Sequence, residues 1–480
     1  MNLERIEIKN FRSIENLAFD ILPVADSKTF TLLGINESGK SSFLRAIQLV
    51  DEDKILFPQD FNSELIDVEI SLKYSLTSAE LKALKDELFN KYKLDKKAVI
   101  KFQVNSIEIL VKFSPQATSE KTISEKINFT ESIFPNLTFD STDKTIKDKL
   151  DEAHPELDLE SFFNTEYSNY FWNLSHQITF WKSTPEYLIS DEIDLKQFAS
   201  SPSKVSIPLQ NCFGLADITD IPSEVEKLNN PVSIQNLEDK LSDKVTVHIN
   251  KLWPEHPIKI KFKINSNKLT FLVEDLDVKY KVKTTNQRSD GFRQFISFLL
   301  TLSAENITDE LQNSILLLDE PEIHLHPNAQ INLKNELIKI SQNGNNNIVF
   351  FATHSNYMID KVNIDRCYKV IKKENSKTEL NKIEKLITSY SEVNYEVFDV
   401  ATNDYHNELY GYLEDLENEK LNSLTKNKKW KNEKSKKTED VSLPKYIRNS
   451  IHHPENTSNK KFTDGDLRES IETLKRLKYD

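Results

Sequence analysis

The sequence predicts an α/β fold whose main sheet is parallel, and three apolar runs support this prediction. Thr29–Leu33 is followed by a glycine-containing loop and then by residues with helical spacing. Ser314–Leu318 ends in carboxylates, and Asn347–Ala352 leads to a histidine. Runs of consecutive apolar residues fit central parallel strands that are buried on both faces. Polar side chains at the carboxyl ends of such strands lie where ligands bind in doubly wound sheets.

The loop after the first run has the Gly-x-x-x-x-Gly-Lys-Ser pattern of a phosphate-binding loop, with a strand before it and a helix after it. Gly34 and Gly39 let backbone N–H groups point at phosphate oxygens, and the helix that starts near Lys40 presents its positive end. Lys40 would reach the β- and γ-phosphates of ATP, and Ser41 would ligate Mg²⁺. The predicted nucleotide-binding residues of this loop are Gly34, Asn36, Glu37, Ser38, Gly39, Lys40, Ser41 and Ser42.

The other two runs end in residues that can act on a bound phosphate. Asp319 would hold Mg²⁺, and Glu320 would polarise the attacking water as a general base. His354 follows the third run, and a histidine beside a γ-phosphate can orient water and sense the phosphate. Together with Lys40, Glu320 and His354 are therefore the predicted catalytic residues.

A fourth stretch, Arg288–Gly291, opens an amphipathic helix about 30 residues before the carboxylate strand. Ser289 sits at an N-cap position, and Gly291 allows close approach of another group. A helix N-terminus with a serine hydroxyl is a second anion site. We therefore expect Ser289 and Gly291 to contact nucleotide.

The segments GINESGKSS, RSDGFRQF, LLLDEPEIHLHP and ATHS resemble the phosphate loop, signature, Walker B and switch-histidine motifs of ABC-type ATPases, and among these most closely the SMC/RecF-like and OLD-like groups. The resemblance covers roughly residues 1–60 and 255–400. It implies an ABC-type P-loop ATPase head that uses ATP and Mg²⁺. It also implies a head-to-tail dimer in which Ser289 contacts the γ-phosphate bound by Lys40 of the other copy, and it suggests Gln59 as a further metal-linked residue. The resemblance leaves Glu322 without a definite role and makes His324 and His326 either structural or near the second active site, rather than metal ligands.

Composition restricts the classes of protein that fit. The chain has 480 residues and a formal charge of −13, which argues against nucleic acid wrapping around its whole surface. Two cysteines cannot make a disulfide framework, so a reducing cytoplasm is the expected location. The sequence shows no signal peptide and no run long enough to cross a membrane, so we expect no membrane partner.

Pattern changes along the chain predict four units. Residues 1–115 would form the first half of the ATPase head, and residues 116–254 a mostly helical insertion or dimerisation region. Residues 255–400 would form the second half of the head, and residues 401–480 a C-terminal helical unit. The last unit contains a Lys-rich segment, Lys426–Lys437. Its composition favours a solvated linker over a segment that attracts RNA or DNA phosphates.

The C-terminal unit also contains Arg448 and His453, separated by four residues. This spacing resembles the Arg-x(4–6)-His motif of HEPN ribonucleases, in which the histidine would act as acid or base and the arginine would stabilise phosphorane charge. A capped helix end before Pro454 explains the same residues structurally. The sequence leaves both interpretations open.

The leading functional hypothesis is a bacterial anti-phage defence ATPase that dimerises or forms a higher homo-oligomer around ATP. It would sense a phage protein or a nucleic acid and control a separate effector nuclease, because no strand-rich Toprim module is visible after about residue 400. One alternative is a self-contained HEPN-like RNase toxin gated by ATP. The other is a RecF/SMC-like DNA-repair ATPase, which the absence of heptad repeats disfavours.

Overall fold

The computed structural model describes most of the chain. The described residues are 1–50, 56–63, 65–92, 106–115, 126–129, 170–252, 257–276, 282–288, 290–301, 312–323, 325–342, 344–373, 377–383 and 389–479. Ser289 and His324, which the motifs single out, lie outside these ranges.

The described strands and helices alternate along the first part of the chain, and helices dominate after residue 389. The strands are β1 (Asn2–Phe11), β2 (Ile14–Asp20), β3 (Thr29–Leu33), β4 (Val68–Ser75), β5 (Ser106–Phe113), β6 (Lys126–Phe129), β7 (Gln177–Lys182), β8 (Glu192–Asp194), β9 (Ile258–Asn265), β10 (Lys268–Asp275), β11 (Val282–Thr284), β12 (Ser314–Asp319), β13 (Ile348–Thr353), β14 (Cys367–Lys372), β15 (Thr378–Lys382), β16 (Lys428–Lys431) and β17 (Thr438–Val441). The helices are α1 (Lys40–Gln48), α2 (Ser78–Tyr92), α3 (Leu195–Ser200), α4 (Pro202–Val205), α5 (Ile207–Leu215), α6 (Ile221–Glu226), α7 (Pro231–Leu252), α8 (Asp290–Thr301), α9 (Pro327–Ile340), α10 (Tyr390–Glu396), α11 (Asn403–Leu416), α12 (Asn418–Asn422), α13 (Leu443–His452) and α14 (Asp464–Tyr479).

The central sheet has the strand order β15-β14-β3-β13-β12-β7 among the described residues. Strands β14, β3, β13, β12 and β7 are parallel, and β15 is an antiparallel edge strand. Every residue of β3 and β13 is buried, as is all of β12 except Asp319 at its end. The prediction of a parallel sheet with doubly buried strands is therefore confirmed.

Alternation along the central strands divides their side chains between two cores. Ile315 and Leu317 of β12 join the core that contains α1 and the antiparallel sheet β2-β1-β4-β5-β6. Leu316 and Leu318 join the opposite core, which contains α5, α7, α8, α9 and the strands β9 and β10. This division follows from the two-residue period of a strand. The sheet is thus covered on both faces, so its central strands can consist of consecutive apolar residues.

Strand β7 shows that the chain returns to the head before residue 254. Residues 177–182 fall in the sequence-based insertion, yet they pair in parallel with β12 at the edge of the central sheet. The reason is the burial of Trp181, which is fully enclosed and contacts Phe298 edge-on at 5.7 Å. Helices α3 to α7 follow within residues 195–252 and give this region its predicted helical character.

The C-terminal part has its own core, formed by residues of α10 to α14 that include Tyr405, Leu409, Leu413 and Ile471. Thr463 and Asp466 cap α14 reciprocally: Asp466 N donates to Thr463 Oγ1 at 3.1 Å, and Thr463 N donates to Asp466 Oδ2 at 2.9 Å.

The Lys-rich segment is not a linker. Strands β16 and β17 form an antiparallel hairpin across it. Trp430 is only 3% exposed and packs edge-on against Tyr446 of α13 at 5.6 Å. The lysine content of the segment predicts a solvent-exposed linker, but one buried tryptophan holds the segment against the helical unit.

None of the described helices combines the length and the apolar composition that a membrane crossing requires.

The aromatic cluster beneath the phosphate-binding loop gives a test of the fold. Phe350 of β13 is fully buried and lies 5.2 to 5.5 Å from the rings of Phe19, Phe30 and Phe43. Phe350→Ala should lower the free energy of unfolding by about 3–5 kcal/mol, because it leaves a cavity among three rings. Urea denaturation measures this change. Phe57→Ala is the matched control, since Phe57 is 47% exposed, and an equal loss in both variants would contradict the packing described.

Candidate functional site

The loop between β3 and α1 has a backbone shape that requires glycine at two positions. Gly39 precedes α1 with φ +109°, a conformation that L-residues rarely adopt. A Cβ atom on Gly39 would overlap the side chain of Thr378, and one on Gly34 would lie 2.5 Å from the carbonyl oxygen of Val370. The loop is therefore pressed against the edge of the central sheet, with the first turn of α1 directly behind it.

Two hydroxyl residues that the motifs do not include hold this loop from behind. Thr378 Oγ1 donates to the carbonyl oxygen of Ser38 at 3.1 Å and lies 2.7 Å from Ser13 Oγ. Thr378 N donates to the carbonyl oxygen of Ser13 at 2.8 Å. The first residue of β15 and the β1–β2 turn thus fix the loop. No local pattern marks either residue, because their role depends on strand pairing.

Lys40 is 4% exposed and turns its ammonium group back onto its own loop. Its Nζ donates to the carbonyl oxygens of Gly34 and Ile35, at 2.9 and 3.0 Å, and lies 2.9 Å from His354 Nε2. Burial lowers the pKa of Lys40 to about 8, although the nearby carboxylates favour its charged form. The ammonium is thus mainly charged at neutral pH and has carbonyl partners that a phosphate could replace.

Asp319 ends β12 directly opposite the first turn of α1. Ser41 Oγ donates to Asp319 Oδ1 at 3.0 Å. Burial raises the pKa of Asp319, and the hydrogen bond from Ser41 acts against this shift. A serine hydroxyl beside a carboxylate is an oxygen donor set that Mg²⁺ accepts, and Mg²⁺ in nucleotide sites takes its other ligands from phosphate and water. These two residues therefore fit a magnesium ion. Among the described residues, no group of three or more His, Cys, Asp and Glu forms a metal site by itself.

Glu320 follows Asp319 in a strained backbone conformation, with φ +54°. Its Oε1 lies 2.9 Å from His354 Nε2, and this hydrogen bond lowers the pKa of Glu320. Non-glycine residues in the left-handed region are uncommon and collect at functional sites. The carboxylate of Glu320 thus lies beside His354, which follows the end of β13.

His354 Nε2 therefore lies within 2.9 Å of both a cation, Lys40 Nζ, and an anion, Glu320 Oε1. A protonated Nε2 donates to Glu320, whereas an unprotonated Nε2 accepts from Lys40. One ring nitrogen cannot donate to Glu320 and accept from Lys40 at the same time. The histidine is thus placed to change partner when the charge near Lys40 changes.

Glu322 connects the carboxylate strand to the strand that carries His354. Its side chain is buried, and one carboxylate oxygen accepts a hydrogen bond from the hydroxyl of Thr353. Thr353 Oγ1 in turn accepts from the backbone N–H of Ser355 at 2.9 Å. Burial raises the pKa of Glu322 to about 7. This chain of contacts fixes the backbone on both sides of His354.

These groups surround one open cavity of about 600 Å³. Its lining residues are Ser13, Asn36, Glu37, Ser38, Gly39, Lys40, Ser41, Ser42, Glu320, His354 and Lys372. A glycine-containing loop, a helix N-terminus and a lysine on one side face a carboxylate and a histidine on the other. This arrangement suits a polyphosphate and a water molecule that attacks it.

Comparison with protein families settles the class of the chain. Residues 1–359, about three quarters of the chain, match the AAA_15 family, described as an AAA ATPase domain. The chain belongs to the AAA_15 family. The ATPase class that the motifs predict is thereby confirmed.

Two curated relatives match shorter segments of the AAA_15 protein. It is 27% identical over 139 residues to Uncharacterized protein MJECL43 of Methanocaldococcus jannaschii, which covers 28% of this chain and 35% of that protein. It is 25% identical over 182 residues to Old nuclease of Escherichia phage P2, which covers 35% of this chain and 31% of that protein. The chain thus spans about a third of the length of these relatives.

Solved structures of SMC head domains resemble the AAA_15 protein more distantly. An SMC head bound to the C-winged helix domain of ScpA has a TM-score of 0.42 and 15% identity, covering 81% of this chain and all of that one. The SMC head domain from Thermotoga maritima has a TM-score of 0.36 and 12% identity, covering 80% of this chain and all of that one. Both TM-scores are below 0.5, so the assignment rests on the family match.

Other residues that the motifs suggest do not reach the cavity of the AAA_15 protein. Gln59 is exposed in a short 3₁₀ turn, Pro58–Asp60, and does not line the cavity. Its neighbour Asp60 is fully buried and accepts from Arg12 Nε at 2.7 Å, with Arg45 Nη2 at 3.7 Å from its other oxygen. Asp60 therefore ties this turn to the β1–β2 turn and to α1, and a metal-linked role for Gln59 stays a prediction.

The signature helix α8 also begins away from the cavity. Gly291 lies in its first turn and is not one of the lining residues, and Ser289 lies outside the described residues. His326 has a structural contact, since its Nδ1 accepts from the backbone N–H of Asn328 at the start of α9, at 3.4 Å. This contact agrees with a structural role for His326, and that role stays a prediction.

Arg448 and His453 lie outside the matched region and make separate contacts. Arg448 Nη2 pairs with Glu414 Oε2 at 2.9 Å, and its guanidinium lies over the ring of Tyr410 at 5.1 Å. His453 follows the end of α13, is mainly exposed, and lies 3.5 Å from Glu455. No described contact joins Arg448 to His453, so a joint ribonuclease role stays a prediction.

The contact between Thr353 and Glu322 can be tested with a matched pair of variants. Thr353→Val keeps the shape of the side chain but removes the hydroxyl, so Glu322 loses its side-chain partner and the backbone N–H of Ser355 loses its acceptor. ATP turnover should fall about tenfold, while the affinity for ATP stays unchanged, since loss of one buried hydrogen bond costs roughly 1–3 kcal/mol. Thr353→Ser keeps the hydroxyl and should retain most turnover. Steady-state kinetics and thermal unfolding of both variants measure this, and equal turnover in the two would refute the positioning role.

Proposed function

We propose that the chain is a Mg²⁺-dependent ATPase that assembles around ATP and regulates an effector nuclease in bacterial anti-phage defence. The observation that carries the proposal is that Lys40, Ser41, Glu320 and His354 line one cavity, while Asp319 accepts a hydrogen bond from Ser41 beside it. The ATPase class is set by the family match; the metal, the assembly and the downstream role are the parts proposed.

The phosphates of ATP would lie against the backbone N–H groups of the loop and the N-terminus of α1. Lys40 would exchange its carbonyl partners, Gly34 and Ile35, for phosphate oxygens, so its buried charge would gain an anionic partner. Ser41 and Asp319 would hold Mg²⁺, which would neutralise phosphate charge when bound.

Glu320 is the group placed to accept a proton from the attacking water. Its carboxylate is ionised at neutral pH, because the hydrogen bond to His354 lowers its pKa. His354 can release Lys40 to the γ-phosphate and keep its hydrogen bond to Glu320, which would hold the carboxylate in place. The two residues would thus couple the presence of a γ-phosphate to the position of the base.

The cavity is open on the side that a second copy of the chain would cover. Glu320 and His354 are both 31% exposed, although efficient hydrolysis favours exclusion of bulk water. Gly291 and its helix do not line the cavity of their own chain. A head-to-tail pair would bring this helix N-terminus of one copy to the phosphates held by the other, and ATP would then stabilise the pair.

A separate nuclease is the proposed output of this switch. One relative carries the name Old nuclease, and the similarity covers about a third of each protein. Residues 389–479, all of them described, form helices and a single two-stranded hairpin, without the strand-rich acidic module of a Toprim nuclease. We propose that a nuclease controlled by this ATPase is a different chain. The HEPN-like RNase and RecF/SMC-like repair alternatives gain no supporting contact from the described residues.

The shared site predicts a trapped assembly. Glu320→Gln removes the proton acceptor but keeps its size, so the protein should bind ATP, lose at least about 100-fold in turnover, and accumulate a nucleotide-bound dimer or larger assembly. Light scattering after size-exclusion chromatography with ATP measures the mass. Lys40→Ala is the control, since it should lose both turnover and assembly. A Glu320→Gln protein that stays monomeric with saturating ATP would rule out assembly around ATP.

A further inference from the structure

The hairpin β16–β17 and the loop before α14 carry a dense group of lysines. Residues 426–461 contain eleven Lys or Arg and four Asp or Glu, in a chain with a net charge of −13. We define the basic surface as the exposed lysines of the hairpin together with the nearest lysine of the loop. Its members are Lys429, Lys431, Lys434, Lys436, Lys437 and Lys460.

None of these six lysines makes an ion pair within the described part of the chain. Neighbouring lysines differ, since Lys428 pairs with Asp466 at 3.3 Å and Lys445 lies 4.0 Å from Glu439. Exposed lysines without carboxylate partners keep their full charge for another molecule. The basic surface therefore carries charge that the fold itself does not use.

The strand β16 directs its lysines outward. Lys429 and Lys431 are exposed, whereas Trp430 between them is 3% exposed and points into the unit. The hairpin turn is fixed by Asn432, whose Oδ1 accepts from the backbone N–H groups of Lys434 and Ser435 at 3.0 and 2.9 Å. The hairpin is thus an ordered platform and its lysines project from defined positions.

The loop before α14 is fastened to the same strand. The side chains of Asn456 and Asn459 both donate to the carbonyl oxygen of Lys431 at 2.9 Å, and Asn459 accepts from Lys431 N at 2.8 Å. Tyr446 hydroxyl donates to the carbonyl oxygen of Lys460 at 2.5 Å. These bonds place Lys460 beside the hairpin, so the six lysines belong to one continuous surface.

The acidic residues in this region do not cancel the surface. Glu439 and Glu455 face Lys445 and His453, while Asp440 lies opposite Lys429 in the strand register. Glu433 is the remaining carboxylate, in the hairpin turn. The six lysines therefore have only two carboxylates near them that are not already paired with another residue. The electrostatic potential at this surface stays positive.

We propose that the basic surface binds the phosphate backbone of a nucleic acid duplex. Proteins that bind single strands combine a basic groove with exposed aromatic rings on which bases stack. Here Trp430 and Tyr446 are 3% and 7% exposed and pack against each other. A surface that offers lysines without exposed aromatic rings can contact phosphates but cannot stack bases. A duplex presents its phosphates on the outside while its bases remain stacked within. This surface would bring the ATPase to a nucleic acid without reading its sequence.

The test uses the full chain and a fluorescein-labelled 30-base-pair DNA duplex of random sequence. Fluorescence anisotropy gives Kd at several salt concentrations. The charge-reversed variant combines Lys429→Glu, Lys431→Glu and Lys436→Glu. The matched control makes the same change in net charge at exposed helical lysines, by Lys196→Glu, Lys204→Glu and Lys240→Glu. Circular dichroism and ATP turnover verify that both variants fold.

The variant on the basic surface should bind the duplex at least tenfold more weakly than the control. The slope of log Kd against log salt should also fall by about one for each phosphate that the variant no longer neutralises. The same measurement is made with an RNA duplex and with the separated DNA strands. A higher affinity for either duplex than for the single strands supports the proposal. Three results would overturn it: no duplex binding by the unaltered chain, equal weakening in both variants, or tighter binding of single strands.

Discussion

The parallel pairing of β3, β13 and β12 is the constraint on which the site depends. The register places Leu33 beside Thr353, and Ala352 beside Asp319. The residue that follows each strand therefore emerges at the same edge of the sheet. A phosphate-binding loop, a carboxylate pair and a histidine that are far apart in the chain meet there without any side chain crossing the core. A one-residue slip of a strand in this register would move each of its side chains to the opposite face of the sheet, and the site residues would no longer meet.

The charges at this edge balance one another in a way that leaves room for ATP. Lys40 is almost enclosed, and burial alone would favour its neutral form, but three carboxylates stand near it. Its present partners are backbone carbonyls and a histidine nitrogen, which satisfy hydrogen bonds but do not neutralise a cation. A phosphate would satisfy both needs. His354 touches both Lys40 and Glu320, so the histidine and the carboxylate would respond directly to that exchange.

The sequence predicts the parts of this site that depend on local patterns. Gly34, Gly39, Lys40 and Ser41 follow one continuous motif, and Asp319 and His354 follow apolar runs whose length marks buried strands. Ser13 and Thr378 escape such prediction, because the pairing of β14 with β15 brings Thr378 behind the loop, and Ser13 reaches it only from the β1–β2 turn. Such contacts join residues hundreds of positions apart, and neither hydropathy nor spacing signals them.

Two further differences have the same physical origin. Glu322 has no evident role in the motif, yet Thr353 gives it a structural one through a buried hydrogen bond. The Lys-rich segment has the composition of a linker, but Trp430 decides its structure, since one buried indole outweighs the preference of several lysines for solvent. Composition describes the average behaviour of a segment, whereas a single anchoring side chain fixes its position.

If each ATP site takes residues from two copies of the chain, two variants that are inactive alone should complement each other when they are mixed. Lys40→Ala disables the loop of one copy, and Ser289→Arg disables the signature helix of the other. If the site is shared, a mixed dimer contains one intact site, and mixing the two inactive proteins should restore ATP turnover that neither shows alone. If mixed dimers form but turnover in the mixture stays at the sum of the two separate proteins, each ATP site belongs to one chain. A site shared between two copies would then be ruled out.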